Sequence, residues 1–382
     1  MTKIAMFVFN AFTNDSRVLK EATSLQKHNY DVTVIAHQDI GVKSEELIGD
    51  LKVRRFSYLD RNVTKGTLGK LKAYLVYVKE SIMYSKDFDI LHCHDLNTLP
   101  IGFIIKKFFN KNVKIVYDAH EHETEIRGLV GNKQKITKII EKFLIKYADK
   151  VITVSNAIAE DYSRIYYIPK PALVLNTPLY QEINKKDIFR KELGINKSQT
   201  IFLYQGGFSA GRGIEILLEA FQNMEKEKDN NSFQPCIVFM GYGPLEKLVT
   251  DAANKYDDIY FYPAVTPDIL LDYTSSADFG ILFYENNCLN HDYCSPNKMF
   301  EYLMADIPVI ASNLYEMKRL VENNKIGIVA KENTANGLHE AIIKATRLDK
   351  EELKKNIQKI KKIYNWGEQE KVLLSLYKEL EQ

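Results

Sequence analysis

Residues 294–312 read CSPNKMFEYLMADIPVIAS. A Ser-Pro-Asn-Lys turn opens a short apolar helix, and the helix runs directly into the β-branched run IPVIAS, the pattern of a βα unit feeding a buried parallel strand. The dipole of that helix and Lys298 both favour an anion at its start. Glu301 lies about one turn further in, where a carboxylate can accept both hydroxyls of a ribose whose diphosphate rests on the helix N-terminus. The alternative is an exposed first-turn glutamate that stabilises the helix dipole, and the stretch taken alone does not choose.

The same alternation extends in both directions. Strand-like runs KIAMFVF, DVTVIAH, DILHCH, VKIVYD and KVITVS alternate with helical patterns at Ser16–His28, Thr67–Tyr84 and Ile136–Tyr147, which predicts repeated βαβ units and a parallel sheet. A polar, Asn/Lys-rich segment, LNTPLYQEINKKDIFRKELGINKSQ, interrupts the pattern, which restarts with TIFLYQ, CIVFMG, DIYFYP, DFGILF, IPVIAS and KIGIVA. The chain has 382 residues, more than one core usually serves. The expected fold is therefore α/β, with two doubly wound Rossmann-like domains.

Composition narrows the classes. The opening apolar run is too short for a signal segment or a membrane span, and the four cysteines, Cys93, Cys236, Cys288 and Cys294, form no CxxC pair, so reduced thiols and a cytosolic protein are expected. Net charge is +2, divided as +7 over residues 1–170 and −5 over 171–382. A basic half attracts anions of several kinds. Nucleic acid is not among the expected partners, because the basic residues are spread over helices and lack an aromatic reader motif.

In open α/β sheets ligands sit beyond the carboxyl ends of the strands. CIVFMG is followed by GYGP, where Gly241 and Gly243 permit close backbone approach and Pro244 suits the first turn of a helix. TIFLYQ is followed by GGFSAGRG, with Arg212 at a helix start, suited to a phosphate or equally to solvent. HCHD (92–95) and HEHE (120–123) put histidines at strand ends. His residues at i and i+2 share a strand face, but a closed metal site needs more than that, and a core or wall role for His92 is the expectation.

Taken in order, NDSRVLKEATSLQKHNYDVTVIA, DILHCHD, IVYDAHE, VITVSNAIAE, LYQGGFSAGRGIEILLEAF, FMGYGPLEKLV, SPNKMFEYLMADIPVIAS and YNWGEQEKVLLSLY resemble the GT-B glycosyltransferases, specifically the retaining family 4 of nucleotide-sugar transferases. The resemblance implies an acceptor-binding domain at 1–175, a donor-binding domain at 176–365 facing it across a cleft, and a closing helix at 366–382 that crosses back. It implies that His120 reaches the donor sugar, that Asp15, Ser16, Arg17 and His94 border the cleft, and that Glu301 holds the ribose. Gly206, Gly207, Gly241, Gly243, Pro263, Val265, Tyr293, Ser295, Pro296 and Asn297 would line the nucleotide site, with Arg212 and Lys298 neutralising the diphosphate. No cofactor and no metal is expected. The expected donor is a nucleoside-diphosphate sugar, UDP-linked by preference, and the acceptor a hydroxyl of a glycan, a lipid-linked glycan or a glycoprotein.

Three departures stand out. The family motif has a second glutamate eight positions before Glu301, where this chain has Tyr293, so Glu285, Asn290 or Asp292 would have to substitute. Gly207 occupies a position where arginine is common, and FNAFTNDSR lacks the glycines often found in the first loop. Two other functions remain open: a sugar-nucleotide epimerase on the same fold, separated by acceptor dependence, and a catalytically silent partner subunit, excluded by any turnover. ITKIIEKFLIKYADK (136–150) and Thr67–Lys86 are amphipathic with flanking lysines, which suits either a core-facing helix or peripheral contact with an anionic membrane.

Overall fold

A computed structural model describes residues 1–56, 66–226 and 233–382. The chain divides into two compact units, Met1–Val174 together with Glu370–Gln382, and Leu175–Gln369.

The first unit is built on an eight-stranded sheet of β1 (Lys3–Phe7), β2 (Asp31–His37), β3 (Glu45–Ile48), β4 (Leu51–Phe56), β5 (Ile90–His94), β6 (Lys114–Ala119), β7 (Lys150–Thr153) and β8 (Ala172–Leu173). Its order is β3-β4-β2-β1-β5-β6-β7-β8. All neighbours are parallel except β3, which pairs antiparallel with β4. The step from β1 to β2 runs the opposite way from the steps β4 to β5 to β6 to β7. Right-handed crossovers therefore place the helix Ser16–Lys27 on one face, and the helices Gly66–Ser85, Leu99–Ile104 and Gly131–Leu144 on the other.

β5 is buried throughout and β1 from Ile4 to Phe7, and the strand-like runs of the sequence match them. The sequence pattern did not indicate the β3–β4 hairpin. β3, EELI, is the sheet edge, where charged residues replace apolar ones, and β4, LKVRRF, lies between β3 and β2 with alternating burial that includes the buried Arg55. The helix expected over Ile136–Tyr147 begins earlier, at Gly131, and ends in a 3-10 turn, Ile145–Tyr147.

The second unit holds a wholly parallel six-stranded sheet of β9 (Gln199–Gly207), β10 (Gln234–Tyr242), β11 (Ile259–Pro263), β12 (Phe279–Leu282), β13 (Val309–Ala311) and β14 (Gly327–Val329), ordered β11-β10-β9-β12-β13-β14. The two-residue period of a strand sends Ile201, Leu203 and Val238 into one core and Phe202, Tyr204 and Phe239 into another, one on each side of the sheet. The fold class read from the sequence is the one observed, an α/β chain with two Rossmann-like sheets.

Tyr302, on the helix Asn297–Met304, ties that helix to the sheet. Its hydroxyl donates to the Leu203 carbonyl at 3.0 Å and accepts from Gln205 N at 3.1 Å. Its ring lies against Gly280 of β12, where an added Cβ would stand 2.4 Å from two ring carbons. Gly280→Ala should therefore destabilise the protein by about 1–3 kcal/mol through overpacking, read as a lower urea midpoint at unchanged slope; an unchanged midpoint would show that the ring has room to yield.

Candidate active site

In the second unit the carboxyl ends of β9 and β10 are laced together. Phe208 N donates to Tyr242 O at 2.8 Å, and Leu245 N to Phe208 O at 3.0 Å. This is possible only because Gly241 and Gly243 lack side chains: a Cβ on Gly241 would lie 2.0 Å from Gly206 O, and one on Gly243 2.5 Å from Phe208 O. Gly207, by contrast, faces open space, so the backbone there has room for the arginine common at that position.

The helix Asn297–Met304 starts at Pro296, which provides no side-chain cap; Met299 N already donates to Pro296 O at 2.9 Å, and the earlier N–H groups are the ones a ligand would meet. Lys298 in its first turn is buried, its Nζ has no hydrogen-bond partner, and it lies 3.6 Å from the Tyr204 ring centroid and 5.1 Å from that of Tyr284. Burial, and then the charge of Arg212, push its pKa well below the usual lysine range. The Arg212 guanidinium stands 5.8 Å from the same Tyr284 ring, so two cationic side chains share one aromatic wall. One turn on, a carboxylate oxygen of the half-buried Glu301 accepts from Gln205 Nε2 at 2.5 Å, and Gln205 Oε1 in turn accepts from Thr274 Oγ1 at 2.8 Å. The carboxylate is thus held from behind by a buried amide.

The other expected positions have partners of their own. Ser295 is buried with its Oγ 3.5 Å from Glu316 Oε1, while Asn297 is exposed. Pro263 ends β11 and Val265 packs on the core. The Tyr293 ring pairs with Tyr315 at 5.8 Å. Of the three candidates to replace a carboxylate there, Asp292 accepts from Tyr315 N, Asn290 is buried, and Glu285 N donates to Gly211 O at 3.0 Å, beside Arg212.

The first unit carries a second polar centre. β5 and β6 are in register so that His94 pairs with Asp118, and the two-residue period adds His92 and His120 on the same side. Arg17 grips both Asp118 oxygens at 2.8 Å, reaches Val174 O at 2.6 Å, and lies 3.1 Å from Glu21. Arg17 is therefore buried rather than at a rim, because its guanidinium is the counter-ion of two buried carboxylates. Asp15 caps the same helix by accepting from Val18 N, and Ser16 is exposed. His92 Nδ1 lies 2.7 Å from the Tyr377 hydroxyl, His92 and His94 stack at 4.2 Å, and His94 Nδ1 is 3.0 Å from His120 Nε2. Ligand atoms of Glu21, His92, His94 and Asp118 all lie within 4.8 Å of one another. The positive charge these two carboxylates face is the Arg17 guanidinium, which already occupies both Asp118 oxygens.

Electrostatics follow from burial and from Asp118. Burial raises Glu21 to about 8 against the pull of Arg17. Burial alone would raise Asp118, but Arg17 and then His120 hold it well below the carboxylate range. Burial would lower His120, but Asp95 and Asp118 raise it to about 9, while His94 is pushed well down by burial and by His92.

Comparison with known proteins shows the family and the fold. Residues 16–177 match the family described as Glycosyltransferase Family 4, and residues 185–363 match Glycosyl transferases group 1. Together they span most of the chain. It belongs to the family 4-like GT-B glycosyltransferases. An uncharacterized glycosyltransferase of Methanocaldococcus jannaschii is 24% identical over 266 residues, covering 65% of this chain and 64% of that relative. The solved sucrose-phosphate synthase of Thermosynechococcus elongatus superposes with a TM-score of 0.77 at 18% identity, over 100% of this chain and 99% of that one. The Anabaena protein HepE, solved with UDP-glucose, superposes at 0.74 and 14% identity over 99% and 100%.

Within this glycosyltransferase, sequence reasoning passed over Gln205, the amide that holds Glu301, because LYQGG reads as an ordinary strand end. It also passed over Tyr377, whose hydroxyl gives no periodic signal in a charged terminal helix.

Because the His120 pKa of about 9 in the folded protein exceeds the ordinary value of about 6.5, its proton contributes stability that is complete below pH ~6.5 and lost as pH climbs through ~9. Glu21, also raised, acts in the same direction at lower pH. Unfolding free energy should decline from neutral pH toward pH ~9, and His120→Gln should flatten the upper part of that decline. An NMR titration of His120 with a midpoint below 7 would overturn the assignment.

Proposed function

We propose that this glycosyltransferase moves a sugar, with retention of anomeric configuration, from a nucleoside-diphosphate sugar to a hydroxyl of a glycan, lipid-linked or protein-linked acceptor. A UDP-sugar is the favoured donor, a hexosyl or N-acetylhexosaminyl group the favoured cargo, and assembly of a bacterial surface polysaccharide or glycoconjugate the favoured setting. The observation that carries this reading is Lys298: a buried cation with no hydrogen-bond partner, in the first turn of an uncapped helix and one turn from a braced carboxylate. A cation is kept in such a place when an anion arrives to pair with it. The structural likeness to a protein solved with UDP-glucose points the same way.

In this reading Glu301 accepts the ribose hydroxyls, and Gly206, Gly207, Gly241 and Gly243 border the diphosphate. Pro263, Val265, Tyr293, Ser295, Pro296 and Asn297 complete the nucleotide site. As the glycosidic bond breaks, charge grows on the leaving diphosphate, and Arg212, Lys298 and the helix N–H groups are fixed in advance to stabilise it. An arriving diphosphate also favours the protonated form of Lys298 that burial disfavours. The first unit contributes His120 toward the sugar, with Asp15, Ser16 and His94 near the acceptor. Among the described residues no carboxylate stands as an evident nucleophile, which favours departure and attack on one face of the sugar over a covalent intermediate.

Loss of a charge-assisted contact of about 1.5–3 kcal/mol should weaken nucleotide binding about ten- to 150-fold in Glu301→Ala, for mono- and diphosphate alike. Arg212→Ala and Lys298→Ala should weaken the nucleoside diphosphate much more than the monophosphate, and the double variant should be non-additive. Calorimetric titration decides; equal losses for both nucleotides in Arg212→Ala would return that residue to the solvent.

Charge stabilisation by fixed cations predicts turnover that survives chelation. Activity abolished by EDTA and restored by Mg²⁺ or Mn²⁺ would reject this and direct attention to the histidine cluster of the first unit.

A further inference from the structure

The helix Gly131–Leu144 presents its apolar side to the outside. Of its residues only Glu141 and Leu144 are buried, whereas Ile136, Ile139, Ile140 and Phe143 are 57%, 69%, 45% and 50% exposed. The sequence admits a core-facing stripe or an outward one; the observed stripe is outward. Its burial against the unit is secured instead by a polar device: Glu141 accepts hydrogen bonds from the hydroxyls of Tyr117, Tyr162 and Tyr166.

The neighbouring helix extends the same surface. Leu99–Ile104 packs between Gly66–Ser85 and Gly131–Leu144 and continues as a π-helical turn, Ile105–Phe109, that leaves Phe108 and Phe109 71% and 51% exposed. Phe103 joins the elements by contacting Phe143 and Tyr147 edge-on. On the far side Leu68, Leu71 and Leu75, spaced as one helical stripe, are also exposed.

The charge around these apolar groups is mostly positive, with Lys138 paired to Glu125 of the preceding loop. Lys133, Lys135, Lys138, Lys142 and Lys146 are all exposed, and the sole acid between residues 131 and 147 is the buried Glu141. A two-fold contact with a second copy would bring these lysines against one another. Apolar side chains between lysines that can extend their amines outward match the boundary of an anionic bilayer.

We propose that this face of the first unit, centred on Ile139 and Phe143, docks on anionic lipid. The proposal deepens the functional reading by naming where an acceptor carried on lipid would be met. It rests on that reading only for the acceptor, since the surface stands on its own exposure and charge.

Co-sedimentation of the full chain with phosphatidylcholine vesicles, with and without phosphatidylglycerol, tests it. Binding should require the anionic lipid and fade as salt rises. The double variant Ile139→Asp/Phe143→Asp should lose about tenfold or more of the vesicle affinity, as should Lys135→Glu/Lys142→Glu. Both variants should keep the wild-type circular dichroism and nucleotide affinity, which separates failure of this surface from failure of the donor site. Equal binding to neutral vesicles, absence of binding to either, or concentration-dependent self-association abolished by Ile139→Asp/Phe143→Asp would each overturn the proposal, the last by making a second copy the occupant.

Discussion

The Arg17–Asp118 pair is the interaction on which the polar interior of the first unit depends. Two oxygens of one buried carboxylate face one guanidinium, and each group would be costly to bury alone. Removing one partner of such a pair typically costs about 3–5 kcal/mol, because the other is left charged in a low dielectric. Through this pair the first helix, β6 and the chain leaving β8 at Val174 are joined. With Asp118 held as an anion, a histidine beside it can keep a proton; with Arg17 held as a cation, Glu21 can approach it. The elevated His120 and the depressed Asp118 are therefore two sides of one arrangement. The last helix enters the same network through the hydrogen bond between Tyr377 and His92, which gives a chemical reason for residues 370–382 to group with the first unit rather than the second.

The second unit depends on absence of side chains. Gly241 and Gly243 let two strand ends approach to backbone distance, and Gly280 admits the Tyr302 ring. Tyr302 in turn reaches β9 beside Gln205, and Gln205 reaches Glu301. One packing contact thus sets the position of the helix start and of the carboxylate one turn in. The positions that bring charge to this end of the sheet are ordered by neighbours that carry none.

Much of this was legible in the sequence. Buried parallel strands are continuous apolar runs, and helices Ser16–Lys27 and Gly66–Ser85 follow a 3.6-residue period, so the alternation of KIAMFVF through KIGIVA revealed both sheets. What was illegible has identifiable causes. β3 looks polar because it is an edge strand, and β4 because its buried positions include Arg55. Arg17 looks like a surface residue at a helix start, since nothing local in NDSRV reveals an aspartate 101 residues away in the chain. Gln205 belongs to a strand by pattern and to the site by a contact with residue 301. The stripe of Ile136–Phe143 shows the limit most clearly: periodicity reports that a helix has two sides, and which side meets the sheet is decided by tertiary partners, here the three tyrosine hydroxyls around Glu141.

The two units handle buried charge in opposite ways, and the contrast separates architecture from binding. In the first, Arg17, Asp118 and His120 face one another as opposite charges. In the second, Lys298 lies against aromatic rings with no hydrogen-bond acceptor for its amine, and Arg212 shares the Tyr284 wall instead of relieving it. A structural lysine at such a position would be replaced at little cost by leucine or methionine, which fill the same space without desolvating an amine. Its presence is explained by a second state of the site in which an anion is there. The cost of the empty state is then part of the discrimination, because a ligand that brings negative charge to the helix start recovers it and a neutral one does not.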